Sequence, residues 1–284
     1  MIKKVMACID ASPYAEAVCD YSVWAANRLS APLSMLHILD RAQHTNTPDL
    51  SGTIGLGSQE ILLEQLAELD EKHAKLALER GRLILDAAKA RAEAAGVPEV
   101  DERLRHGQFV TSLLELEDEI RLLVLGKRGF SSADAHGQIG MHIEGLIRSI
   151  HKPVLLTQQQ FIEPNSLLMA FDGSETAVKS LNMLAESPLC KGLPCHLVMA
   201  GADVEAARVQ LEQAAAKLRS EGFEVTVAIV AGEPDVVLNQ YQQDHNIGLM
   251  VMGAYGHSRI RQFFLGSTTT AMISKAKCSL LVLR

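Results

Sequence analysis

Short apolar runs alternate with longer stretches of mixed polarity along the whole chain, and the alternation is played out twice. In the C-terminal half the apolar runs fall at 166–171, 195–200, 223–229, 247–252 and 279–283. Each is too short for a typical helix and nearly all apolar, as a strand covered on both faces must be. The stretches between them, 175–186, 203–220, 233–244 and 267–276, read as helices. The segment from Asp203 to Ser220 carries apolar residues at three- and four-residue spacing, the period of a helix with one buried face, and Gly222 follows as a stop. Strands alternating with helices imply parallel neighbours joined by crossovers. The pattern therefore predicts an α/β fold of doubly wound parallel sheets, five strands to a unit.

The N-terminal half repeats the unit. Val5-Met6-Ala7-Cys8-Ile9-Asp10-Ala11-Ser12 parallels Leu167-Leu168-Met169-Ala170-Phe171-Asp172-Gly173-Ser174, each an apolar run ending in Asp-x-Ser. Leu123-Val124-Leu125-Gly126-Lys127-Arg128-Gly129 parallels Met250-Val251-Met252-Gly253-Ala254-Tyr255-Gly256. Lys152-Pro153-Val154-Leu155-Leu156-Thr157 parallels Cys278-Ser279-Leu280-Leu281-Val282-Leu283. Residues 1–158 and 165–284 are thus two copies of one domain, and Gln159 to Pro164 is the linker. The first copy carries an insert. Residues 44–58 are rich in Thr, Pro, Gly and Ser and predict a loop; 60–95 predict one long amphipathic helix, or two abutting ones, with charges outward. The insert is either a mobile surface loop or a cover over a ligand or partner surface.

A chain of 284 residues suits two domains of ordinary size. Its net charge of −7 argues against non-specific nucleic-acid binding, which needs a positive face. No apolar run approaches the ~20 residues of a membrane span. The N-terminal apolar stretch is cut by Asp10 before a signal-peptide core develops, so it predicts a first strand and a cytoplasmic protein. The five cysteines, Cys8, Cys19, Cys190, Cys195 and Cys278, are odd in number and irregularly spaced, unlike a disulfide framework. Cys190 and Cys195, with His196 adjacent, have no second ligand pair nearby and read as small buried hydrophobes.

Chemistry concentrates after the run 247–252. Met252-Gly253-Ala254-Tyr255-Gly256-His257-Ser258 leads through Arg259 and Leu265 to Gly266-Ser267-Thr268-Thr269-Thr270, the pattern G-x2-G-x9-G-S-T. A strand, a glycine-rich loop and a hydroxyl-bearing helix start form an anion cradle, because glycine lets backbone approach closely and a helix start offers free N–H groups. The spacing is neither the P-loop nor the dinucleotide fingerprint. A glycine-rich turn that merely joins sheet to helix would show the same glycines.

This signature resembles the nucleotide-binding motif of the universal stress protein family, and the resemblance extends over essentially the whole chain, as a tandem member with two such Rossmann-like domains. It implies that the second copy binds ATP, with or without Mg2+. Asp172 would contact the adenosine part and Met199 the base. Gly253, Gly256 and Gly266 would line ribose and phosphates, Ser267 and Thr268 would bind phosphate oxygens, Met252 would join the binding set, and Gly232 would shape the loop after the third strand. In open α/β sheets the ligand crevice lies where strand order reverses, here between first and fourth strands, so Asp172 and Gly253 face it together. An aspartate in that position also serves as a turn or helix cap.

The first copy departs from the pattern. Asp10, Ser12, Gly126 and Gly129 remain, but Gly140 comes one residue late, Met141 and His142 replace the hydroxyls, and Asp134 adds negative charge that Lys127 and Arg128 offset only in part. It is expected to have lost nucleotide binding. No paired carboxylates flank the second loop, and His257 and Arg259 are its nearest catalytic candidates, so the expectation is a nucleotide-dependent stress-response regulator without efficient turnover. The other readings are a nucleotide-independent scaffold for dimerisation and protein partners, and a slow ATPase or self-phosphorylating enzyme. The resemblance further implies that the copies meet along their last strands, at Pro153–Thr157 and Ser279–Leu283, and that such chains can pair as homodimers.

Overall fold

The computed structural model describes residues 2–39, 56–128, 141–253 and 267–284, with side chains described except at 56–63, 141–142 and 267–269. The first repeat runs β1 (Lys4–Cys8), α1 (Ala15–Leu29), β2 (Leu33–Leu39), α2 (Leu56–Ala94), β3 (Val100–His106), α3 (Phe109–Glu115), β4 (Ile120–Gly126), α4 (Met141–Ser149) and β5 (Val154–Thr157). The second runs β6 (Leu167–Ala170), α5 (Glu175–Glu186), β7 (Cys195–Ala200), α6 (Glu205–Ser220), β8 (Val225–Val230), α7 (Pro234–Asp244), β9 (Leu249–Gly253), α8 (Ser267–Lys275) and β10 (Ser279–Leu283).

Among the described residues ten strands form one sheet, in the order β3-β2-β1-β4-β5-β10-β9-β6-β7-β8. Each repeat is parallel throughout its described strands, and its order reverses between its first and fourth strands: β1 pairs with both β2 and β4, and β6 with both β7 and β9. The repeats join where β5 and β10 pair antiparallel, with Leu156 opposite Leu280, Leu155 opposite Leu281 and Val154 opposite Val282. These six side chains are at most 2% exposed. Burying each such side chain is worth about 1.5–3 kcal/mol, so the seam is a core and not a surface contact. The linker is packed down as well. Phe161 meets the Tyr21 ring edge-on at 4.7 Å, and Tyr21 Oη donates to the Ile162 carbonyl at 3.1 Å.

Alternation along the strands divides the interior in two. Val5, Ala7, Leu122, Val124, Leu249, Val251 and Leu281 pack under α1, α2, α5 and α6. Met6, Leu123, Leu125, Met250, Met252, Leu280 and Val282 pack under α3, α4, α7 and α8. A strand buried on both faces has no polar positions to spare, which is why these runs read as continuous apolar segments.

The insert helix α2 is one continuous helix of 39 residues, about 58 Å long. It reaches the sheet at Gly81, where an added Cβ would lie 2.8 Å from His37 Cδ2 and 2.9 Å from Leu104 Cδ1. Beyond that point Leu85, Ala88 and Ala92 are buried. Charges face outward as the pattern predicts, but Leu69, Leu76 and Leu83 are exposed with them. Most residues from 64 to 80 are exposed, so this part of α2 has little of the protein to cover its leucines. The predicted loop 44–58 lies outside the described residues except for the start of α2.

Candidate functional site

The C-terminal ends of β6, β7, β8 and β9 carry the described part of the predicted site. After β6, Phe171 N–H donates to the Val198 carbonyl at 3.0 Å and extends the pairing by one residue. Asp172 follows at the sheet's rim. Its Oδ1 accepts from Ser174 N–H at 3.0 Å, and Ser174 Oγ accepts from Ala177 N–H at 3.1 Å, capping α5. Gly173, between them, has φ +74°, a left-handed conformation that a side chain would strain, and an added Cβ would lie 2.6 Å from Gln210 Oε1. Gln210 comes from α6 and overhangs this turn. Sequence reasoning missed it, because nothing in the period of α6 marks it out.

The first repeat repeats the Asp-to-Ser bond of this turn but not the helix cap, since α1 starts after Tyr14 with no side chain capping it. Asp10 Oδ1 accepts from Ser12 N–H at 3.0 Å, and Ser12 Oγ accepts from Tyr14 N–H at 3.2 Å. Both aspartates therefore have a structural duty in the strand-to-helix turn, independent of any ligand.

Gly253 ends β9 beside Leu283 of β10. A Cβ there would lie 2.8 Å from Ser180 Oγ and 3.2 Å from Thr176 Cγ2, both on α5. Its counterpart Gly126 is equally crowded, with Tyr14 Cβ 2.6 Å away. Close passage of the helix thus demands both glycines. Gly232 has φ +137° and would bring a Cβ within 2.9 Å of Val237 Cγ2, so it shapes the entry to α7. Asp203 and Arg208 form an exposed two-pronged ion pair at 2.6 and 2.8 Å beside the loop after β7.

Met199 and Met252 are each 7% exposed at the strand ends. They belong to opposite packed faces, Met199 on the α5–α6 side and Met252 on the α7–α8 side, so their side chains are not brought together. Ser267 and Thr268 open α8, which starts where the spacing predicts. Gly256, Gly266, His257 and Arg259 lie outside the described residues, as do Gly129, Asp134 and Gly140 of the first repeat.

Lys127 has a partner the sequence did not announce: it is only 8% exposed and donates from Nζ to the Ala276 carbonyl of the second repeat at 2.6 Å. Burial pushes its ammonium down to about 8; the Cys278 thiol opposes this and the Arg128 charge adds to it. The cysteines are free thiols, and Cys19, Cys190, Cys195 and Cys278 are buried. Burial pushes the last three up to about 12.

The family model of the universal stress protein family matches residues 1–158 and 165–284. The chain belongs to the universal stress protein family. Universal stress protein Slr1230 of Synechocystis is 36% identical over 287 residues and is matched over 100% of both chains. Universal stress protein MJ0577 of Methanocaldococcus jannaschii is 29% identical over 80 residues, 28% of this chain and 49% of that protein. Among solved structures, a universal stress protein from Archaeoglobus fulgidus superposes over 99% of this chain and 98% of its own, with TM-score 0.70 and 18% identity. A Pseudomonas aeruginosa protein described as a universal stress protein superposes over 99% and 93%, with TM-score 0.62 and 15% identity. These likenesses extend the shared fold across both repeats. Among the described residues, no helix is long and apolar enough to cross a membrane.

Proposed function

We propose that this universal stress protein binds one ATP per chain in the crevice of its second repeat and works as a nucleotide-dependent regulator without efficient turnover. The observation that carries this reading is the reversal of strand order between β6 and β9 in the repeat whose sequence keeps the glycines and hydroxyls of the loop. It sets Asp172, Gly253 and the start of α8 at one end of the sheet, the end at which doubly wound folds take ligands. Asp172 and Met199 receive the adenosine part. Met252, Gly253, Gly256 and Gly266 line the ribose and phosphates, with Gly232 fixing the neighbouring loop. Ser267 and Thr268 meet the phosphates at the helix start, where unpaired N–H groups and the positive end of the dipole favour an anion. Among the described residues no three His, Cys, Asp or Glu side chains gather to hold a metal. Where Mg2+ accompanies the ATP, it rides on the nucleotide's phosphates. The first repeat, with its shifted Gly140 and with Met141 and His142 in place of hydroxyls, leaves its own crevice empty of nucleotide.

A second reading has its own support. The turn duties of Asp10 and Asp172, and the crowding at Gly126 and Gly253, account for those residues without a ligand. That favours a scaffold whose work is done by its surfaces. Native mass spectrometry of the purified chain separates the two. A mass increment of one adenine nucleotide, lost in Gly266→Val, is expected from binding. A chain that carries none, and takes none up from millimolar ATP, is a scaffold.

A further inference from the structure

Ala276 follows the last turn of α8, and its carbonyl oxygen accepts two hydrogen bonds from the other repeat: from Lys127 Nζ at 2.6 Å and from Gln158 Nε2 at 3.1 Å. Gln158 Nε2 also donates to the Cys278 carbonyl at 2.6 Å. Part of this arrangement is reciprocal. Arg284 is the counterpart of Gln158, and it donates to the carbonyls of Arg148 and Ile150, which end α4. Lys127 breaks the reciprocity. It occupies the first position after the glycine that ends β4, and the same position in the second repeat is Ala254, whose side chain has no donor.

A buried ammonium is costly, and an apolar side chain would fill the space at lower cost. What the ammonium supplies is a charge-assisted hydrogen bond and a positive charge at the negative end of a helix dipole. The helix so capped has nine residues, about 13 Å from end to end, and begins at Ser267. Its last residue, Lys275, is tied to Asp235 of α7 at 2.6 Å, so α8 is held from its own repeat as well as from the other.

We propose that Lys127 is a positioning residue for the second repeat's nucleotide: by gripping the C-terminal end of α8 from the first repeat, it sets the helix start that receives the phosphates. This rests on the nucleotide reading given above. The first repeat's degenerate loop thus begins with a side chain that serves its neighbour's site. The charged form makes the grip. Deprotonation near pH 8 removes the charge and leaves only a weaker amine donor, with the neutral Cys278 thiol and the Arg128 cation as its titratable neighbours. Affinity for ATP should fall across that range, and by linkage bound ATP should raise the Lys127 pKa.

The test is ATP affinity, by calorimetry on the full chain, from about pH 7.5 to 9.5, above the titration of the terminal phosphate. Wild type should weaken about five- to tenfold over that range. Lys127→Arg should stay tight and flat, and Lys127→Met weak and flat. If wild type binds but the variants trace its curve, Lys127 has no such role and the binding reading stands. If wild type binds no ATP at any pH, both fail. If Lys127→Met does not fold, wild type against Lys127→Arg decides: parallel curves overturn the inference, and a slope seen only in wild type upholds it.

Discussion

Gly253 lies so close to Ser180 that a side chain on the glycine would put its Cβ 2.8 Å from the serine's Oγ. Ser180 is fully buried on α5, so the hydroxyl has nowhere to retreat. Gly253→Ala should therefore destabilise the chain by about 1–3 kcal/mol through overpacking. Adding Ser180→Ala should restore only part of this, because Thr176 Cγ2 remains 3.2 Å from the new methyl. Urea midpoints measure both effects, and an unchanged midpoint for the single variant would contradict the crowding.

Nucleotide binding should be lopsided. Calorimetry is expected to give one ATP per chain, and Gly266→Val, folded by circular dichroism, should take none, because its methyls fill space the phosphates need. Two equivalent sites per chain would refute the assignment to the second repeat.

Lys127 should also leave a mark on stability. Its folded pKa is lowered to about 8, whereas in the unfolded chain it returns to the ordinary lysine range, about 10.4. Between those values the unfolded state binds a proton that the folded state lacks, so stability rises with pH. The stability of wild type minus that of Lys127→Met should grow by about 1–3 kcal/mol between about pH 7.5 and 10. A constant difference in urea unfolding would show that the lysine titrates normally.

The seam should hold the particle together. Wild-type small-angle scattering is expected to report one compact body. Leu281→Asp buries a carboxylate opposite Leu155, where both positions are at most 2% exposed. It should open the particle into two lobes on the linker or drive it to aggregate, and an unaltered compact profile would falsify the seam as the main contact.

The strands were legible because burial on both faces writes itself as uninterrupted apolar runs, and the crevice was legible because parallel crossovers leave few strand orders. Boundaries slipped where tertiary contacts intervene. The helix expected from 203 begins at Glu205, because Val204 N–H turns back to the Ala202 carbonyl at 3.0 Å and Asp203 is engaged by Arg208. The strand expected from 223 begins at Val225, because Phe223 N–H closes the end of α6 on the Leu218 carbonyl at 3.1 Å. The exposed leucines of α2 were hidden by a helical period that does not say where the sheet ends. Gln210 over Gly173, and Lys127 and Gln158 on Ala276, were out of reach for a simpler reason. Side chains that cross between distant elements leave no periodic trace in the local sequence.

Joining β5 to β10 within one polypeptide has a consequence for how such a protein can change. Two identical subunits meeting along that edge would receive every substitution twice, once on each side of the axis. Here a substitution lands once. A lysine can stand after Gly126 while an alanine stands after Gly253, and a hydroxyl pair can open one terminal helix while Met141 and His142 open the other. One half is then free to specialise as ligand receptor and the other as its brace, in a ratio that neither expression level nor dilution can disturb.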